Sequence, residues 1–198
     1  MLQEIPTSTF REARPCVLET ERLILRQPTL ADVKAIARLA DDRRIAENTR
    51  RLPHPYTPDD AVSFVRGLAD GGKETAFLIE TDRQPIGIVG VNSRAPDLPA
   101  LGYWLGIAYW GRGYGTEAAR AIIDYFFDAH GHDALLAYAR VSNPASRNIL
   151  EKCGFQWTGV ELHRFEVLAS SAPVDAFRLS RNVWASLKNW ASAARRAI

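Results

Sequence analysis

The most constraining feature of the sequence is a set of three glycines at alternate positions, Gly111, Gly113 and Gly115. They follow a segment with strand periodicity, Ala100–Ile107, and precede one with helical spacing, Gly115–Ala129. A helix N-terminus presents unpaired N–H groups and a partial positive charge, and glycines permit close approach, so such a loop is suited to phosphate. The same letters also fit an ordinary tight turn between a strand and a helix, so both interpretations stand at this point.

Two other phosphate-binding loops do not match these letters. A Walker A loop has the pattern GxxxxGK[ST], which the sequence does not contain. The dinucleotide-binding fingerprint has GxGxxG at the opening of a βαβ unit, whereas the spacing here is GxGxG and a hairpin precedes the entering strand. We therefore expect neither of these nucleotide-binding folds.

The order of the elements favours one mixed α/β sheet. Alternating apolar residues predict a strand over Val17–Gln27, and two helices follow, each with a threonine cap and an aspartate three residues later. Three antiparallel strands come next, with a turn at Asp82–Pro85 between the first two. After the glycine-rich loop and its helix come a buried strand, a helix that begins near Asn143, two strands and a C-terminal helix. This pattern predicts about seven strands flanked by helices in a single domain.

Composition excludes several other classes of protein. The chain of 198 residues is 46% hydrophobic and 24% charged, as expected for a folded domain. Its two cysteines and four histidines have no disulfide or metal-ligand spacing, and a net charge of +2 does not indicate nucleic-acid binding. No apolar run reaches the roughly 18 residues of a membrane span, and the first ten residues lack a secretory pattern. We therefore expect a cytoplasmic protein without a metal.

Three ordered segments together resemble the GNAT superfamily of acyl-coenzyme A-dependent N-acyltransferases. They are LPHPYTPDDAVSFV (Leu52–Val65), LGYWLGIAYWGRGYGTEA (Leu101–Ala118) and VSNPASRNILEKCGF (Val141–Phe155), and they look most like the branch that acetylates ribosomal-protein N-termini. The family loop reads Q/R-x-x-G-x-G/A, and Trp110 stands here where Gln or Arg is general. The resemblance implies one domain over residues 17–185, with an N-terminal arm (residues 1–16) and a C-terminal helix extension (residues 186–198).

The resemblance implies acetyl-coenzyme A as the cosubstrate, in a gap where the fourth and fifth strands splay apart. Its pantetheine arm would pair with the strand backbone near Leu105 and Ile107. Asn143 would contact the cofactor and Arg147 would reach its 3′-phosphate, although Asn-Pro is also an ordinary helix start and a helix arginine is often only solvated. The amides expected to meet the pyrophosphate are those of Arg112, Gly113, Tyr114, Gly115 and Thr116.

The resemblance also points to catalytic residues. Acetyl transfer to an amine needs a deprotonated amine, support for an oxyanion and a proton for the leaving thiolate. Many family members use a tyrosine acid where this chain has Leu150. The ribosomal-protein branch often has a serine three residues after the asparagine, so the resemblance makes Ser146 the candidate acid, with Asn143 as the second candidate catalytic residue. The glutamate that commonly precedes LGYW is replaced by Ala100. Asp97 lies three residues upstream of Ala100, and three substitutes for the base stay unranked: Glu161, His163 and Glu47.

The missing carboxylate favours an acceptor amine of low pKa. An N-terminal α-amine has a pKa near 7.7–8.0 and lysine near 10.4, so at pH 7.5 roughly a third of the first and a thousandth of the second are neutral. We expect a peptide or protein N-terminus, such as that of a ribosomal protein, as the acceptor. Arg50 and Arg51 are either solvated or available to an acidic peptide or ribosomal RNA. A small-molecule amine (polyamine, antibiotic or amino acid) and a non-catalytic acyl-coenzyme A sensor stay open, as does the choice between monomer and homodimer.

Overall fold

The computed structural model describes residues 16–70, 74–93 and 98–196, with side chains as far as Trp190. The described strands form one sheet in the order β1-β2-β3-β4-β5-β6-β8-β7. They are β1 (Val17–Glu19), β2 (Ile24–Arg26), β3 (Glu74–Thr81), β4 (Gln84–Asn92), β5 (Ala100–Leu105), β6 (Ala134–Arg140), β7 (Gln156–Phe165) and β8 (Ser170–Ser180). The predicted α/β class is confirmed: a single mixed sheet, antiparallel except between β5 and β6.

Helices cover both faces of this sheet. They are α1 (Val33–Ala40), α2 (Arg43–Ala46), α3 (Pro58–Ala69), α4 (Tyr114–Ala129), α5 (Pro144–Lys152) and α6 (Arg181–Arg196), with short 3-10 turns at Leu30–Asp32 and Ile107–Tyr109. Helices α1 and α3 bury their apolar residues against one face, and α4 and α5 pack against the other. The side chain of Leu78 points to the first layer and its neighbour Phe77 to the second, as the strand period of two requires. No described helix has the length and apolar character needed to cross a membrane.

The predicted strand over Val17–Gln27 is wrong as a single element, because it folds back on itself. The backbone N–H of Thr20 donates to the carbonyl of Leu23 at 2.9 Å, and the N–H of Leu23 donates to Thr20 Oγ1 at 3.0 Å. These bonds offer the backbone an alternative to the strand ladder, so the chain reverses and β1 pairs with β2. The sheet therefore has eight strands within the described residues, where about seven were expected.

Two boundaries also differ from expectation. The strand expected to reach Ile107 ends at Leu105, because the indole Nε1 of Trp110 donates to the Leu105 carbonyl at 2.8 Å and a 3-10 turn follows. The β3–β4 turn contains only Asp82 and Arg83, whose positive φ angles of 49° and 61° suit a two-residue hairpin. Pro85, which we placed in this turn, pairs with Glu80 beside a register shift in the ladder.

The gap expected between the fourth and fifth strands is present between β5 and β6. These parallel strands pair at only two positions, Ala100 with Leu136 and Leu101 with Ala137. Beyond Leu101 the two strands separate, so the edge of β5 that faces β6 has no strand partner from Gly102 onward.

The proposed domain limits stay predictions. Residues 1–15 of the expected N-terminal arm and residues 197–198 of the expected C-terminal extension lie outside the described residues. The proposed boundary between Ala185 and Ser186 falls inside α6, which continues across it.

Candidate active site

A cleft of about 740 Å³ opens where β5 and β6 separate. Its lining includes residues from both faces of the sheet, because neighbouring residues of β5 point in opposite directions. Tyr103 packs with the α4 layer and Trp104 with the α1 and α3 layer, and both line the cleft. The cleft thus joins two sides: one bounded by the glycine-rich loop and α5, the other by α3 and Asn48–Pro53.

The glycine-rich loop owes its shape to glycine for two separate reasons. Gly111 and Gly113 have φ angles of +73° and +82°, which side chains rarely adopt, and Gly113 caps the N-terminus of α4. Gly115 has no such angle; a Cβ there would lie 2.9 Å from Cδ1 of Ile149, so glycine lets α4 and α5 approach closely. All three glycines line the cleft, and the N-terminus of a 16-residue helix therefore opens onto it.

Side chains of the turn between β1 and β2 fix the glycine-rich loop through hydrogen bonds and a ring contact. Arg22 Nε donates to Glu117 Oε2 at 2.8 Å, and its Nη1 donates to the carbonyl of Arg112 at 3.0 Å. Thr20 Oγ1 also donates to Glu117 Oε1 at 2.6 Å. The guanidinium lies over the ring of Tyr114, with Cζ 4.8 Å from the ring centroid. The reversal of the first strand, which sequence patterning missed, is thus what positions the loop.

Most residues expected to hold the cosubstrate line the cleft. These are Leu105, Gly113, Tyr114, Gly115, Thr116 and Asn143. Ile107 and Arg112 do not belong to its lining, and the amide of Thr116 donates to the Gly113 carbonyl at 3.1 Å. The carbonyl of Leu105 accepts from Trp110, so part of the expected strand edge is already occupied.

Asn143 and Arg147 take different places on α5. The side-chain oxygen of Asn143 accepts from the backbone N–H of Ser146 at 3.1 Å, so this residue caps the helix while lining the cleft. Arg147 lies outside the lining and is paired with Glu151 at 3.0 Å and with the buried Asp175 at 3.1 Å. The exposed cation of α5 that does line the cleft is Lys152, which sequence reasoning did not single out.

Ser146 has a partner that the sequence did not predict. The hydroxyl of Tyr103 lies 2.9 Å from Ser146 Oγ and donates to the carbonyl of Ser146 at 3.2 Å. Burial raises the pKa of Tyr103 well above its usual value, so the phenol stays neutral and acts as a hydrogen-bonding group. The two residues are 43 positions apart and come from β5 and α5, and both line the cleft.

None of the described candidates for the base lines the cleft. Glu47 pairs with Arg43 at 2.8 Å, and Glu161 bonds to His163 Nε2 at 2.7 Å. Asp97 lies outside the described residues. In the described ranges, no group of three or more histidine, cysteine or acidic residues could hold a metal ion.

Three other carboxylates line the cleft, and only the tertiary structure reveals them. Asp60 accepts from the backbone and hydroxyl of Thr57, so it caps α3. Glu74 pairs with Arg51 at 3.0 Å and shares a row of the sheet with Asn92 and Ala100. The third is Glu166, in the turn between β7 and β8.

A strap, defined here as residues 47–52, crosses the cleft and is fixed to both walls. The Glu47 carbonyl accepts from Arg140 Nη1 at 2.9 Å, and the Arg50 carbonyl accepts from the backbone N–H of Glu166 at 3.1 Å. Its other anchor is the ion pair of Arg51 with Glu74 on β3. These contacts join the β3 side to the β6–β7 side, so the strap bounds the part of the cleft opposite the glycine-rich loop.

Residues 22–156 match the model of the acetyltransferase (GNAT) domain, and the chain therefore belongs to the GNAT acetyltransferase family. It is 32% identical over 154 residues to the uncharacterized N-acetyltransferase YoaA of Bacillus subtilis (strain 168), covering 73% of this chain and 85% of that protein. It is 29% identical over 150 residues to the uncharacterized N-acetyltransferase p20 of Bacillus licheniformis, covering 72% and 84% respectively. The chain is thus an N-acetyltransferase with acetyl-coenzyme A as its cosubstrate.

Solved structures share this fold. RimL, a ribosomal L7/L12 alpha-N-protein acetyltransferase in complex with coenzyme A, superposes with a TM-score of 0.73 at 18% identity, over 83% of this chain and 97% of that one. The microcin C7 self-immunity acetyltransferase MccE, in complex with acetyl-coenzyme A and AMP, gives 0.71 at 20% identity, over 81% and 93%. At these identities the similarity establishes the fold, and the acceptor has to be argued from the cleft itself.

Proposed function

We propose that this protein transfers an acetyl group directly from acetyl-coenzyme A to the α-amine of a peptide or protein N-terminus. The observation that carries the proposal is the set of carboxylates in the cleft. Asp60 is committed to capping a helix and Glu74 to an ion pair, and Ala100 occupies the place of the family glutamate. An acceptor whose amine is already partly neutral at physiological pH suits such a site better than lysine does.

The glycine-rich loop would hold the pyrophosphate of the cosubstrate. The residues present fit this group, because Gly111 and Gly113 would meet no neighbour closer than 3.3 Å even with a Cβ, which leaves the backbone of the loop open to a ligand. The first amides of α4 provide unpaired donors and a partial positive charge. We assign contacts with the cosubstrate to Gly113, Tyr114, Gly115 and Asn143, and the 3′-phosphate contact predicted for Arg147 to the cleft-lining Lys152. When bound, acetyl-coenzyme A supplies the activated thioester.

Ser146 would supply the proton that the departing thiolate takes up. Its hydroxyl is half-buried on the cleft wall and lies 2.9 Å from the Tyr103 hydroxyl. Tyr103 fixes the direction of the serine hydroxyl through this hydrogen bond. The serine would recover its proton from the attacking nitrogen, which gives up its remaining extra proton as the amide forms. Tyr103 is a positioning residue in this proposal.

The amine would lose its proton to water in the cleft. Glu166 is the lining carboxylate that neither caps a helix nor forms an ion pair within the described residues. Glu166 can accept the amine proton through an intervening water molecule, so it need not contact the amine directly. The α-amine needs only this modest help, because its pKa lies within one unit of physiological pH.

Two relatives by fold support the choice of acceptor. RimL is described as acting on the α-amine of ribosomal protein L7/L12, and a Salmonella typhimurium structure as modifying the N-terminal serine of the same protein. We extend this acceptor class to the present chain, together with a cytoplasmic location.

Coenzyme A release across a panel of acceptors tests the proposal. The panel holds short peptides that differ in their first residue, the same peptides with a blocked N-terminus and a free lysine, spermidine, an aminoglycoside and free amino acids. We expect release with free N-termini only, and a kcat/KM that rises with an apparent pKa near 8 and levels off above it. A rate that keeps rising to pH 10, or release only with a small amine, would refute the α-amine acceptor.

A further inference from the structure

We propose that Arg50 and Arg140 form a subsite for a carboxylate that the acceptor carries close to its amine. This inference rests on the proposed function and narrows its substrate class to acceptors with an anionic group near the N-terminus. The juxtaposition that carries it is a pair of arginines, one on the strap and one at the end of β6, that both line the cleft. The strap bounds the part opposite the glycine-rich loop, and we take that part to receive the acceptor.

The guanidinium of Arg140 is fixed by one hydrogen bond and one ring contact, but one of its N–H groups has no hydrogen-bond partner among the described residues. Its Nη1 donates to the Glu47 carbonyl, and its Cζ lies 5.5 Å from the centroid of the Phe165 ring. Its Nε is buried and has no hydrogen-bond partner among the described residues. A buried N–H of a charged group without a partner is costly, which is why such groups in folded proteins are nearly always bonded to something. Nε itself is closed to solvent, so a ligand carboxylate in the cleft would meet the outer part of this guanidinium and give the charged group a partner there.

Arg50 brings a second positive charge to the same wall. Its carbonyl is fixed to the backbone of Glu166, the residue after Phe165. Arg50 and Tyr138 both line the cleft. Burial and the Glu161 carboxylate raise the pKa of Tyr138, and the Arg50 guanidinium opposes that rise. Arg50 has no ion pair within the described part of the chain and is exposed, so its guanidinium is available to a ligand.

The other charged residues that line this part of the cleft do not neutralise the positive charge of Arg50 and Arg140. Arg51 and Glu74 neutralise each other at 3.0 Å, and Asp60 is bound to the start of α3. Among the charged residues that line this part of the cleft, this leaves Arg50 and Arg140 against one carboxylate, Glu166. Glu161, which also acts on Tyr138, lies outside the lining and is bonded to His163. The surplus positive charge favours an acceptor that brings a negative charge, since charge-assisted bonds to a carboxylate are stronger than neutral ones.

The test compares peptides that differ only by charge. Pairs with the same first residue carry Asp or Asn at the second or third position. Their dissociation constants are measured by calorimetry with coenzyme A present, and kcat/KM is measured with acetyl-coenzyme A. We expect the acidic peptide of one pair to bind about tenfold more tightly, the size of one charge-assisted contact. Arg50→Gln should reduce this preference to less than about threefold, Arg50→Lys should retain part of it, and Glu166→Gln should increase it.

The matched control is Arg66→Gln, which removes the same charge from an exposed position of α3 outside the cleft lining and should leave the preference intact. Further arms use free aspartate and phosphoethanolamine, which show whether a small amino acid or a phosphate can supply the anionic group. Equal affinity for Asp and Asn peptides, or a preference that survives Arg50→Gln, would overturn the subsite. A charge preference in binding without coenzyme A release from any peptide would leave the subsite standing and refute the peptide acceptor instead.

Discussion

Replacing Ser146 by alanine tests the chemistry of the site most directly. The serine hydroxyl lies 2.9 Å from the Tyr103 hydroxyl, and its loss leaves the phenol with the Ser146 carbonyl as acceptor at 3.2 Å. The protein should therefore fold normally, with a change in unfolding free energy of less than about 1 kcal/mol. Loss of a general acid typically lowers the rate by about 10²–10⁴, so kcat should fall at least a hundredfold while KM for acetyl-coenzyme A stays near its original value.

Tyr103→Phe separates positioning from proton donation. This substitution removes one hydrogen bond and leaves the serine in place, so kcat should fall about tenfold, the equivalent of about 1.4 kcal/mol. If Tyr103 acts only through Ser146, adding Tyr103→Phe to Ser146→Ala should cause no further loss. Because burial raises the pKa of Tyr103, kcat should not decline between pH 8 and 10 through ionisation of this phenol.

The assay is coenzyme A release at saturating acceptor, together with thermal unfolding of each variant. Ser142→Ala serves as the control, because this serine is exposed in the turn before α5 and does not line the cleft. A Ser146→Ala variant that keeps more than a third of its kcat would refute the assignment of Ser146 as the acid. Additive losses in the double variant would show that Tyr103 acts independently of Ser146.

Two further predictions concern the loop and acid stability. Gly113→Ala imposes a φ of +82° on a residue with a side chain, so it should lower the unfolding free energy by about 1 kcal/mol and weaken acetyl-coenzyme A binding in a titration. The control Gly67→Ala, in the last turn of α3 where an added Cβ meets no neighbour, should raise stability by about 0.5–1 kcal/mol and leave binding unchanged. Arg26 lowers the pKa of Asp32 to about 2, so this pair contributes about 2 kcal/mol above pH 4 that is lost toward pH 2. Chemical denaturation between pH 4 and pH 2 should show that Arg26→Met loses less unfolding free energy than the unchanged protein. An equal loss in both proteins would contradict this.

The local features of the fold could be predicted because their causes are local. The capping pairs illustrate this: Thr57 and Asp60 form both bonds of a capping box, and Asn143 caps α5, as the sequence alone indicated. The order of strands and helices, and the glycine-rich loop at the start of α4, follow from periodicity and from the conformations that only glycine adopts. The resemblance of three ordered segments identified the family, which the domain match confirmed.

The arrangement of the site was decided only by tertiary contacts. Ser146 bonds to Tyr103 across 43 positions, and Arg140 holds the strap 93 positions away, and neither pairing leaves a periodic signal in the sequence. The ion pair of Arg147 with the buried Asp175 is also invisible in the sequence, where an arginine at this helix position looks simply exposed to solvent. Sequence patterns report which residues are buried and where the chain turns, because those depend on near neighbours. Which distant side chains meet depends on how the strands separate and the helices pack, and that is determined only when the whole chain folds.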